Sequence, residues 1–215
     1  SINRFDHHQK GGAGARENGI LYAGCGLVWK AYGEMLAESS DIARILDEKL
    51  IQPIDADDNG MDLVEQNGAV SPYFLQDFLY AYRPTWKEDH TMYDEMFISL
   101  VELAKRHILR EIKVISDAQE ARRFIEEAYM NAEDKRLIIF DRLYPFEQVL
   151  PNFPEPLFVV APRANGSWKV ETVRKTVFGF ENRKDLPKEW AGLRDSELAN
   201  ISGVDDAIFC HNGLF

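Results

Sequence analysis

Leu137-Ile138-Ile139-Phe140 is a short, wholly apolar run, and it marks where the chain changes character. Three of its four residues are β-branched or aromatic, which predicts a short buried strand. Leu157 to Pro162 and Trp168 to Val173 predict two more, and Asn165-Gly166 between them is a hairpin signal. Ala207 to Cys210 reads as a further strand, followed by a His211-Asn212-Gly213 turn. Upstream the apolar period is helical. Tyr22 to Glu38 places Leu27, Val28, Tyr32 and Leu36 on one expected core face. Asp41 is the expected cap of a second helix carrying Ile42, Ile45, Leu46 and Leu50, which Pro53 ends or kinks. Ser71-Pro72 opens a third with Phe74, Leu75, Phe78 and Leu79. Asp94 to Ile115 carries the stripe Phe97, Val101, Ala104, Ile108, Ile112 and Ile115, and a separate helix is expected from Ser116 to Asn131. The expected class is α/β, a helix-rich part over 1–130 followed by a smaller strand-containing α+β part over 131–215. The chain is too short for two independent cores, so the parts are expected to pack face to face.

The 215 residues are 45% hydrophobic and 28% charged, which excludes disordered and low-complexity classes. Lys and Arg number 25 against 36 Asp and Glu, a net charge of −11. That argues against a generic basic nucleic-acid binder, but not against a nuclease whose carboxylates hold cations. Residues 151–215 hold eight basic and nine acidic side chains, so the excess lies in the first 150. Cys25 and Cys210 have no partner at zinc-site spacing and read as free buried thiols of a reducing compartment, with a mutual disulfide as the alternative. No apolar run approaches the ~20 residues of a membrane helix. Residues 1–6 are no signal peptide and read as an internal strand at a processed or truncated terminus.

Asp6-His7-His8 is the most informative triplet for chemistry. Adjacent imidazoles point in different directions, so one can bind a metal while the other faces substrate, and the aspartate can fix a ring tautomer. A polar surface turn is the alternative. Lys10-Gly11-Gly12-Ala13-Gly14-Ala15-Arg16 is a glycine-rich, locally basic loop, either an anion cradle or simply a flexible connection. Asp55-Ala56-Asp57-Asp58-Asn59-Gly60 admits three readings. As a calcium loop it mismatches at Asp62, Leu63 and Gln66. As part of a catalytic metal site, Asp55 or Asp58 supplies an oxygen to a cation held by His7, an N and O set suited to Mn²⁺ or Mg²⁺. As a helix end it is capped by its Asn-Gly turn. Arg194 and His211 can clamp a phosphate, or serve as a salt bridge and a space-filling ring. His90 and His107 are assigned to solvated surface, and Arg83-Pro84-Thr85-Trp86 to a turn with a packed aromatic anchor.

Phe5-Asp6-His7-His8-Gln9, Gly26-Leu27, Asp55 to Gly60 and Arg83-Pro84-Thr85-Trp86 occur in that order. Trp190-Ala191-Gly192-Leu193-Arg194-Asp195, Ile201-Ser202-Gly203 and Phe209-Cys210-His211 follow. The set resembles the MYG-type proteins (UPF0160-like), a branch of the DHH phosphoesterase superfamily that includes RecJ-like nucleases and manganese pyrophosphatases. The resemblance implies a DHH-type catalytic domain over 1–130 and a substrate-binding α+β domain over 131–215. It implies a metal-dependent phosphodiesterase acting on nucleic acid, a 3′→5′ exonuclease on RNA or short oligonucleotides. Hydrolysis of a small phosphorylated molecule, and a non-catalytic binding protein keeping the fold, are the rival functions. By the resemblance, His7 and Asp58, with Asp55 as second choice, hold Mn or Mg, and Asp6 orients the site. His8 faces the scissile phosphate, and Arg194, His211 and Arg16 bind phosphate. The family's Gly-x-Phe-His-x-Asp-Asp motif is absent, and the chain stops soon after His211, so a largely inactive fragment is expected. The expected compartment is the cytoplasm, or a mitochondrion or nucleus, with no membrane partner.

Overall fold

The computed structural model describes residues 5–65, 68–89 and 91–215. It is of mixed α/β class and divides into two units at Ser116/Asp117. His90, Gln66 and the start of the expected first strand lie outside the described residues.

The first unit is helical. Helix α1 spans Gly24–Ala37 and buries Gly26, Trp29, Gly33 and Ala37. This is not the expected face: Val28, Tyr32 and Leu36 are exposed, and Leu27 is only half-buried. The helix packs through its smallest residues because Trp29 needs the space that Gly33 leaves; a Cβ at Gly33 would lie 2.6 Å from Trp29 Cε2. Trp29 Nε1 then reaches the Ala43 carbonyl at 3.1 Å. Helix α2, Ser40–Leu46, is capped by Ser39 rather than Asp41, because the Ser39 hydroxyl accepts the Ile42 N–H. Pro53 does not stop the helical path. A π-turn over Asp47–Ile51 leads into α3, Gln52–Asp58, and Pro53 falls in the first turn of α3, directly after that wider turn. Trp29, Ile42, Leu46, Ile51 and Ile115 form the core of this unit.

Helix α4 is shorter than expected, Leu75–Tyr80, and begins where Asp77 accepts the Phe74 N–H at 2.8 Å. Trp86 is 85% exposed and does not anchor its turn; Pro84 is the buried residue there. Helix α5 runs unbroken over Met92–Asn131, joining the two helices expected on either side of Ser116. It contains no Gly or Pro, and Ser116-Asp117 alone does not interrupt the hydrogen-bond ladder. Of its expected stripe, Ile115 is buried while Phe97 and Val101 are exposed.

In the second unit β1 (Leu137–Ile139), β2 (Phe158–Pro162) and β3 (Trp168–Thr172) form one sheet in the order β1-β2-β3. β1 and β2 are parallel, with Ile138 opposite Val159, and β2 and β3 are antiparallel. Gly166 turns the β2–β3 hairpin at φ 84, a conformation in which a Cβ is strained. Ala121, Ile125 and Tyr129, one face of α5, cover Ile138, Val159, Ala161 and Val173. Ala207 to Cys210 is not a strand but makes one isolated bridge, Arg194 to Phe209. It belongs to a satellite cluster in which Leu198 of α6 (Asp195–Ser202) meets Leu186 and Cys210. Both cysteines are free, and Cys25 is exposed rather than buried. Among the described residues no helix is long and apolar enough to cross a membrane.

Candidate metal centre

The segment after Phe5 is held against the start of α1. The Phe5 carbonyl approaches Gly24 so closely that a Cβ there would lie 3.0 Å away, and the Phe5 ring packs on Tyr32. The chain then turns sharply, and one ligand atom from each of Asp6, His7 and His8 falls within 4.8 Å of the others. Among the described residues this is the one such grouping of three or more His, Cys, Asp or Glu.

The two histidines have different surroundings. His7 is only 13% exposed, and its Nε2 lies 3.6 Å from Asp58 Oδ2. His8 is 80% exposed, and its Nδ1 lies 3.1 Å from Asp6 Oδ1. The aspartate therefore orients His8, while Asp58 faces His7. The same Asp6 oxygen accepts the His8 backbone N–H at 2.9 Å. That N–H, together with the His8 ring, holds the Asp6 carboxyl below its usual range.

Asp58 ends α3, where the carbonyl and side chain of its neighbours close the helix. Asn59 donates to the Asp55 carbonyl from its side chain at 2.7 Å, and Gly60 follows at φ 73. The segment Asp55 to Asp58 is helical, so it cannot wrap a cation as a calcium loop does.

Asp55 sits one turn back on α3 and points elsewhere. It is fully buried, and its Oδ1 accepts the Gly26 N–H at 2.8 Å. Its Oδ2 lies 2.8 Å from Arg16 Nη1, a buried ion pair. Arg16 also donates to Asp47 from Nε at 2.9 Å and Nη2 at 2.7 Å. A small hairpin delivers it: Ala15 bridges Leu21, and Arg16 N–H donates to the Ile20 carbonyl. Its far face lies 4.2 Å from the Tyr22 ring centre. Burial opposes the Arg16 charge, but the Asp47 and Asp55 carboxylates outweigh it and raise its pKa. The guanidinium is thus 7% exposed and engaged by two carboxylates, not open to a phosphate. No local sequence signal marks Asp47, because its partner Arg16 is 31 residues away in the chain.

Arg194 and His211 belong to the second unit, and the structure brings both to Phe209. The Arg194 guanidinium lies 4.3 Å from the Phe209 ring centre, and the His211 ring meets that ring edge-on at 6.2 Å. His211 stacks in turn on Phe215 at 5.2 Å, and Lys169 Nζ lies 4.0 Å over Phe215. The result is an aromatic ladder with a cation at each end. His211 Nδ1 is buried with no hydrogen-bond partner among the described residues. His107 is surface, 3.9 Å from Glu111.

A model of the family described as MYG1_exonuc, Uncharacterised protein family (UPF0160), matches residues 1–215. A MYG1 protein of Dictyostelium discoideum is 27% identical over 242 residues, covering 99% of this chain and 73% of its own length. The MYG1 exonucleases of Mus musculus and Homo sapiens are each 25% identical over 249 residues, covering 99% of this chain and 65% of their own length. No solved structure matches. With the family model extending over the whole chain, from the Asp-His-His triplet to the Phe209 ladder, the chain belongs to this MYG1 family.

Proposed function

We propose a metal-dependent phosphodiester hydrolase function, a 3′→5′ exonuclease acting on RNA or short oligonucleotides with metal-activated water as nucleophile, and only weak activity for this chain by itself, because its four candidate donors complete one cation site rather than two. The observation that carries this reading is the convergence of Asp6, His7 and His8, with Asp58 placed 3.6 Å from His7 across the chain fold. The MYG1 exonucleases among its relatives support the reaction class.

The donor set fits one divalent cation. Ligands at about 2.1 Å from a shared ion stand up to about 4 Å apart, so His7 Nε2 and Asp58 Oδ2 are within range of a common Mn²⁺ or Mg²⁺. A second cation about 3.5–4 Å away needs donors beyond these four residues. A bound ion supplies Lewis acidity, lowering the pKa of water towards ~7 and neutralising charge on phosphate oxygens. His7 and Asp58 hold the ion. Asp6 holds the His8 ring by Nδ1 and leaves the exposed Nε2 edge for a phosphate oxygen of the substrate. Arg194 and His211 bind phosphate on the second unit. Arg16 and Asp55 brace α3 from inside rather than touching substrate.

The test is hydrolysis of a short RNA labelled at its 5′ end. With Mn²⁺ the reading expects a ladder of products shortened from the 3′ end, abolished by EDTA and by His7→Ala. No hydrolysis with either metal, or hydrolysis confined to a dinucleotide or pyrophosphate, would overturn it.

A further inference from the structure

Phe178 and Phe180 are 94% and 86% exposed, the two highest values among the large apolar side chains of the described residues. Leaving two phenylalanine rings in water forfeits the burial that such side chains normally contribute. Their loop is nevertheless well built. Arg174 bridges Asn182, and Lys175 N–H donates to the Glu181 carbonyl at 2.8 Å. Gly179 N–H donates to Thr176 Oγ1 at 3.0 Å across the tip. Arg183 ties the base of the loop to the rest of the unit by donating to the carbonyls of Pro151 and Pro156. A Phe-Gly-Phe tip on this base is a presented feature, not a loose end.

The charge around the tip is opposite to that of the whole chain. Residues 174–184 carry Arg174, Lys175, Arg183 and Lys184 against Glu181 alone, in a protein of net charge −11. The Arg174 guanidinium lies 5.2 Å from the Phe180 ring centre, pairing a cation with an aromatic face. We infer that Phe178 and Phe180, with Arg174 against the Phe180 ring, are a platform on which unpaired bases of a single-stranded nucleic acid stack while the loop's cations meet its backbone. Every base has a π-face, so such a platform binds without sequence preference and is lost in a duplex, whose bases are already stacked. A lipid surface fits less well, because only two apolar side chains are offered and no apolar helix face accompanies them. The inference rests on the nuclease reading and names which part of the second unit holds its substrate strand.

The experiment is fluorescence anisotropy of a labelled single-stranded RNA without divalent cation, against the same RNA as a duplex. It uses the full chain, Phe178→Ala/Phe180→Ala, and Phe178→Trp/Phe180→Trp. The wild type should prefer the single strand, the alanine pair should weaken it about tenfold or more, and the tryptophan pair should retain it. Circular dichroism melting confirms that each variant is folded. Alanine variants binding like wild type, or a wild type that prefers duplex, would overturn the platform. So would loss of self-association or of vesicle binding in the alanine pair with RNA affinity unmoved. If the wild type hydrolyses RNA with Mn²⁺ while the alanine pair binds normally, the platform alone fails. A wild type that neither binds nor hydrolyses RNA removes the nuclease reading as well.

Discussion

Arg16 Nη1 lies 2.8 Å from Asp55 Oδ2, an ion pair whose side chains are 7% and 0% exposed. Three residues further along α3, Asp58 faces His7. One short helix therefore carries a buried brace and an exposed metal candidate, and the brace fixes where the candidate points. Removing one member of such a pair leaves an unpaired charge in the interior. Arg16→Met is expected to lower the unfolding free energy by about 3–5 kcal/mol, read by urea denaturation. Arg16→Lys should recover only part of it, because an ammonium cannot match the two parallel bonds to Asp47. A loss below about 1 kcal/mol in Arg16→Met would show that the network does not hold α3.

Gly26 and Gly33 make a second prediction, with different magnitudes. A Cβ at Gly26 would lie 1.7 Å from Asp55 Oδ2, and both it and the carboxylate are fixed. Gly26→Ala should therefore cost at least about 3 kcal/mol, by overpacking and by displacing the ion pair. At Gly33 the Cβ meets the Trp29 ring at 2.6 Å, where a side chain can shift, so Gly33→Ala should cost about 1–3 kcal/mol. Trp29 emission should change in the second variant, and chemical denaturation ranks the two. Equal tolerance at both sites would contradict the close approach of α1 to α3.

These glycines explain why the core face of α1 differs from the one its apolar period predicts. Leu27, Val28, Tyr32 and Leu36 have a convincing helical period, whereas the buried set is built around residues that apolar periodicity does not weigh. The strands were legible because Leu137 to Ile139 and the Asn165-Gly166 hairpin are local signals. The long α5 was legible in type but not in extent, since Ser116-Asp117 looks like a cap when helix continuity is not known. Ala207 to Cys210 has strand composition but finds only a bridge. At the site, the Asp-His-His triplet is contiguous and stands out in sequence. The pairing of Asp6 with His8, and of Arg16 with Asp47 and Asp55, depends on the path of the chain through space.

Asp134 gives a pH-dependent prediction away from the candidate site. The Arg136 side chain, bonding through Nε and Nη2, lowers the Asp134 pKa from 3.8 to about 2. A carboxyl depressed in the folded state stabilises the fold above the unfolded value, and that contribution is lost as pH falls through about 2. NMR titration of the Asp134 carboxyl should show a midpoint near 2 that returns towards 3.8 in Arg136→Gln. A midpoint near 3.8 in the wild type would contradict the paired geometry.

The most direct test of the central claim is Mn²⁺ binding followed by electron paramagnetic resonance titration, in wild type, His7→Ala and Asp58→Ala. The wild type should bind one saturable ion at the Asp6, His7 and His8 cluster. Either substitution should weaken its affinity by about tenfold or more, as expected when one ligand of a cation is removed. Asp57→Ala, on the same helix but outside the cluster, should leave the titration unchanged. An unaltered titration in both His7→Ala and Asp58→Ala, or no saturable Mn²⁺ in the wild type, would contradict a metal centre built on His7 and Asp58.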